Sequence, residues 1–84
     1  MISTVYTIDN GRRGELRADF DNQESAKAQM IAWAVIYDAA QIYEGDIETF
    51  TAVKIYADAP YILINDVWGN VKDKKILIKD VVGF

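Results

Sequence analysis

"AQMIAWAVIYDAAQIY", residues 28–43, decides how this chain folds, because it is too apolar for an ordinary surface helix and too short for a membrane span. A bilayer-crossing helix needs roughly 18–20 apolar residues, and this stretch also carries Gln29 and Asp38. It follows "DNQE" (21–24), where Asp21 and Glu24 stand at the spacing of a capping box. It precedes Gly45, a natural left-handed terminator. The spacing predicts one long helix from about Asn22 to Tyr43.

On a helical wheel, Lys27, Asp38 and Gln41 fall together, with Ala34 between them, as a polar arc only about 60° wide. Ala28, Ala32, Val35 and Ala39 make a small-residue face, with Ile31, Ile36 and Ile42 at its margin. Small residues let a helix sit close to a sheet, so this face is the expected core side. The flank carries Ala26, Met30, Trp33, Tyr37 and Ala40. A single helix on a sheet buries about half its circumference, and these two faces together exceed that. Either the chain covers the flank itself, through sheet twist, the first hairpin or the final "VVGF", or a partner or second copy does. Tyr, Trp and Met are enriched at binding hot spots.

Working outward, "ISTVYTI" (2–8) is β-branched and aromatic, Asn10-Gly11 marks a tight turn, and "ELRADF" (15–20) alternates Leu16, Ala18, Phe20 against Glu15, Arg17, Asp19. That is a hairpin. Beyond the helix, "IETFTAVKIYA" (47–57), "YILIND" (61–66) and "ILIKDVV" (76–82) read as three further strands. The second is the most central and the third is guarded by lysines at a sheet edge. Pro60 and Gly69-Asn70 separate them. The expectation is a single α+β domain over 1–84. Its two layers are an antiparallel sheet of four to five strands and one long helix on one face, in the order ββαβββ.

The chain has no cysteine and no histidine, which removes thiolate chemistry, the common general base and the usual soft metal ligands. Ser3 and Ser25 have no base partner in the sequence, and no phosphate-cradling loop is present: Gly11 and Gly14 flank Arg12 and Arg13 between two strands. "EGDIE" (44–48) has alternate oxygen ligands but not a full calcium-binding loop. The reading is therefore of a non-enzymatic protein with no metal and no cofactor. The start lacks a secretion-signal pattern, which points to a cytoplasmic protein with no membrane association.

Charge is uneven within a net of −4. Asp19 to Glu48 holds seven acids (Asp19, Asp21, Glu24, Asp38, Glu44, Asp46, Glu48) against Lys27 alone, whereas the tail carries Lys72, Lys74, Lys75 and Lys79. An acidic middle disfavours nucleic acid as the main ligand and suits a basic protein surface. The expected partner-binding residues are Met30, Trp33, Tyr37, Asp38, Glu44, Asp46 and Glu48.

In size, acidity and lack of catalytic residues, the chain resembles the small phage or mobile-element proteins that inhibit bacterial defence systems, the anti-CRISPR and anti-restriction proteins. The resemblance is of class and involves no motif. It implies occlusion of a nucleic-acid site on a basic effector complex in the host cytoplasm, with carboxylates standing where phosphates would. Two other readings are carried alongside. One is a homo-oligomeric structural or accessory domain, for instance a homodimer, whose Met30/Trp33/Tyr37 stripe is the self-interface. The other is a weak nucleic-acid-binding module using Arg12, Arg13, Lys72, Lys74 and Lys75. Tyr56, Tyr61 and Trp68, with Lys54 and the tail lysines nearby, read as core or sheet-face packing first and as a stacking platform second.

Overall fold

The computed structural model describes residues 2–55 and 60–81. β1 (Ser3–Asp9) and β2 (Arg12–Phe20) form the first hairpin. Asn10 at φ 50° and Gly11 at φ 81° give its turn the two positive-φ positions that match strand twist. The helix α1 (Gln23–Tyr37) starts one residue later than the capping-box reading has it. Asn22 is the N-cap, its side-chain oxygen accepting from the Ser25 N–H at 2.8 Å.

The helix then stops at Tyr37, six residues short of the predicted end. Asp38 takes φ 73°, and its carbonyl accepts from the Lys54 N–H at 2.7 Å. "AAQIYE" becomes a strand, β3 (Ala39–Glu44), antiparallel to β1 on one side and to β4 (Ile47–Lys54) on the other. Its period is two: Ala40 and Ile42 are fully buried toward the helix, while Gln41 and Tyr43 point to the opposite face. A central strand satisfies both edges of its backbone in the ladder, and tertiary pairing here overrides local helix propensity. Gly45, read as the helix terminator, instead sits at φ 64° in the β3–β4 turn.

β5 (Tyr61–Asp66) pairs with β4, and β6 (Lys74–Leu77) pairs with β5. The last predicted strand is thus short, and a one-turn helix, α2 (Ile78–Val81), follows it. The strand predicted over 47–57 ends at Lys54; Tyr56 and Ala57, like most of "VVGF", lie outside the described residues. The result is one antiparallel sheet of six strands in the order β2-β1-β3-β4-β5-β6, with one main helix across β1, β3 and β4.

The helix also faces the sheet with the side opposite to the one expected. Ala26, Met30 and Ala34 are each 0% exposed and join Val5, Ala40, Ile42, Phe50, Ala52, Ile62 and Ile64 in the core, whereas Ile36 is 68% exposed. Two residues of the predicted polar arc, Asp38 and Gln41, are not helical, and without them the wheel recentres on Met30. The small residues that permit close approach are Ala26 and Ala34 against Ala40 and Ala52. Among the described residues, no helix is long and apolar enough to cross a membrane.

Candidate functional site

The inverted helix removes part of the expected docking stripe. Met30 is core, Trp33 is half-buried and packs against the core, and Tyr37 is half-buried at the helix end. Met30 therefore cannot meet a partner in this fold, and the stripe is not a continuous surface. Asp38 is exposed at the opposite end of the molecule from Glu44, Asp46 and Glu48, with its carboxylate 3.5 Å from Lys54 Nζ.

The acids of the β3–β4 turn fare differently. Ser3 stands opposite both Phe20 and Glu44, and Glu44 opposite Ile47, so the start of β1, the end of β2 and the β3–β4 turn share one end of the sheet. Gln23 Nε2 donates to Glu44 Oε1 at 2.9 Å, which brings the helix N-terminus to the same end. Phe50 stands opposite Asp66, and the Val67 N–H donates to the Thr49 carbonyl at 3.1 Å, which adds the loop after β5.

Local sequence holds that loop in place: Asp66 Oδ1 accepts from the Asn70 N–H at 2.9 Å while Gly69 adopts φ 78°. This end gathers Asp19, Asp21, Glu24, Glu44, Asp46, Glu48 and Asp66. Of the cations at this end, Arg17 is 3.3 Å from Asp19 and Lys27 Nζ lies 4.2 Å from the Phe50 ring centroid, while Lys72, in the loop after β5, and Lys74, at the start of β6, are exposed. Asp19 is held below the ordinary carboxylate range by the hydroxyl of Thr4 and then by Arg17. Glu48 accepts from the Thr51 hydroxyl, and Asp46 is exposed in the turn.

Apolar side chains are exposed at the same end. Ile47 is 63% and Trp68 60% exposed, and Val67 and Ile2 are exposed at the same end. Sequence reading missed this cluster because it assembles across strands; the available signal was Ile47, alone between acids in a Gly-containing turn.

The cations proposed for nucleic acid do not converge. Arg12 and Arg13 lie on β2 and Lys74 and Lys75 on β6, the two outer strands of the sheet, about 24 Å apart at ordinary strand spacing, with Lys72 in the loop before β6. Arg13 is further occupied, its guanidinium carbon 4.1 Å from the Tyr43 ring centroid and 5.0 Å from that of Tyr6. Of the stacking platform, Tyr61 carries Lys75 Nζ at 4.9 Å, Trp68 is at the acidic end, and Tyr56 lies outside the described residues. Among the described residues, no three carboxylates gather closely enough to hold a metal ion. No family model matches the chain, and neither the curated proteins nor the solved structures yield a match.

Proposed function

We propose that this chain is a non-enzymatic binding protein that docks on a basic protein surface through the acidic end of its sheet. The observation that carries this reading is the exposure of Ile47 and Trp68 at the end of the sheet that also carries Glu44, Asp46, Glu48 and Asp66. An aromatic and a branched aliphatic anchor supply desolvated contact area, and the acids around them steer a positively charged partner and reject an anionic one. The partner that fits is a protein whose own ligand is a nucleic acid, since its phosphate-binding surface is basic and carries apolar or planar groups between the cations. Occupying that surface would inhibit it, in keeping with the anti-defence class the chain resembles. Relative to the helix-centred expectation, the docking surface moves from Met30, Trp33 and Tyr37 to the sheet end, and keeps Glu44, Asp46 and Glu48.

The test is capture from bacterial lysate on immobilised wild-type chain and on Asp46→Lys/Glu48→Lys. The expected result is a retained protein of basic isoelectric point, displaced by double-stranded DNA and by salt, and lost on the charge-reversed chain. A retained protein indifferent to the reversal and to DNA would overturn the proposal. So would direct binding of oligonucleotides by the chain itself.

A further inference from the structure

We propose that two copies of this chain pair edge to edge through β2, antiparallel, so that one sheet runs continuously through both. β2 is an outer strand, and among the described residues nothing pairs with its outer side. An outer strand presents a row of backbone donors and acceptors that a further strand can satisfy.

The strand is not uniform along its length. Near the turn it bulges: Thr7 stands opposite the stretch Gly14–Leu16, and Gly14 takes φ 88°. Beyond the bulge, Arg17 to Phe20 pair residue for residue with Tyr6 to Ser3, giving a regular edge. From the last residue of the bulge through this regular part, the sequence "LRADF" (16–20) complements itself when read backwards. With the twofold axis at Ala18, Arg17 of one copy stands opposite Asp19 of the other, and Leu16 opposite Phe20. Directly opposed side chains lie on the same face of a sheet, so the charges meet on one face and the apolar pairs on the other. Leu16 is 38% exposed, and Phe20 already packs against the core, so the pairing extends the core across the boundary.

The other outer strand lacks this property. β6 presents Lys74 and Lys75, whose like charges oppose self-pairing. Antiparallel pairing also sends the two acidic ends in opposite directions, so Ile47, Trp68 and the acids of the β3–β4 turn stay free in each copy while Asp19 is engaged in the pairing. Pairing over so short an edge buries less than the roughly 1,200 Å² of a stable interface, so the dimer is reversible and concentration-dependent.

Sedimentation equilibrium over a wide concentration series at low salt reads this directly. The wild type is expected to shift from monomer to dimer. Arg17→Asp and Asp19→Arg, each alone, weaken association by about tenfold or more through like-charge opposition. The double variant restores it, and the two single variants associate when mixed, because each supplies the charge the other lacks. Circular dichroism confirms the fold of each. Should a single variant not fold, Leu16→Lys, which leaves both charges, is expected to abolish the dimer. A wild type that stays monomeric throughout, or a dimer indifferent to these changes, overturns the proposal.

Discussion

Lys54 and Asp38 close the corner at which the helix gives way to the central strand. The Lys54 N–H donates to the Asp38 carbonyl at 2.7 Å, and Lys54 Nζ lies 3.5 Å from the Asp38 carboxylate. The same ammonium donates to the Val35 carbonyl at 3.0 Å, satisfying one of the free carbonyls of the last helical turn. The side chain of Lys54 is largely buried, whereas that of Asp38 is half exposed, so the hydrogen bond to Val35 is the better shielded of the two side-chain contacts. This corner closes the helix at Tyr37, where β3 enters its ladder with β1 and β4.

Replacing Lys54 by Ala leaves the Val35 carbonyl without its donor and Asp38 without its counter-charge. The expected loss is about 1.5–3 kcal/mol, the range for hydrogen bonds involving a charged group. Urea unfolding of the purified variant measures it. A loss indistinguishable from zero would mean that the corner holds without the lysine.

The orientation of the helix is tested by a pair of substitutions. Met30→Ala removes a fully buried side chain and is expected to cost about 2–5 kcal/mol. Ile36→Ala trims an exposed one and is expected to stay within about 0.5 kcal/mol. Equal losses at both positions, or a larger loss at Ile36, would restore the opposite face to the core.

Two carboxylates should respond to pH with opposite signs. Asp9 is raised above its ordinary value of 3.8 by desolvation first, then by a hydrogen bond with Asp38 and that residue's charge. A raised folded-state value means that ionised Asp9 opposes folding, fully so above its folded pKa and not at all below its unfolded one. Asp9→Asn is therefore expected to melt higher than wild type at neutral pH, with the advantage vanishing in acid.

Asp19 is lowered, so it contributes stability above its unfolded pKa and loses it as pH falls through the lower folded value. Asp19→Asn is expected to melt lower at neutral pH and to converge with wild type in strong acid. Melting curves across the acid range settle both, and like signs for the two variants would contradict the assignment.

Much of the fold was readable from local chemistry. Asn10-Gly11 and the alternation of Leu16, Ala18 and Phe20 announce the hairpin, and Gly69-Asn70 announces the loop before β6. The boundary at Asp38 was not readable, because a non-glycine residue takes a positive φ there and Ala39, Ala40 and Gln41 favour helix when considered alone. Only the long-range pairing of β3 with β1 and β4 decides against it.

That one misplaced boundary also turned the helical wheel over, since Asp38 and Gln41 defined its polar arc. Glu44, Asp46 and Glu48 were named from the sequence, as was Trp68, though as part of a stacking platform. Their juxtaposition with Asp66 and Ile47 depends on strand register, which a linear reading does not contain.

The claim that docking belongs to the sheet end and not to the helix is tested most directly by two tryptophan variants, Trp68→Ala and Trp33→Phe. Both are assayed for retention of the protein captured on the wild-type chain. Trp68 is exposed at the sheet end and Trp33 packs on the core, so Trp68→Ala is expected to lose the partner while keeping its melting temperature, and Trp33→Phe to retain it. Retention by Trp68→Ala together with loss by a folded Trp33→Phe would contradict the account and return the docking surface to the helix.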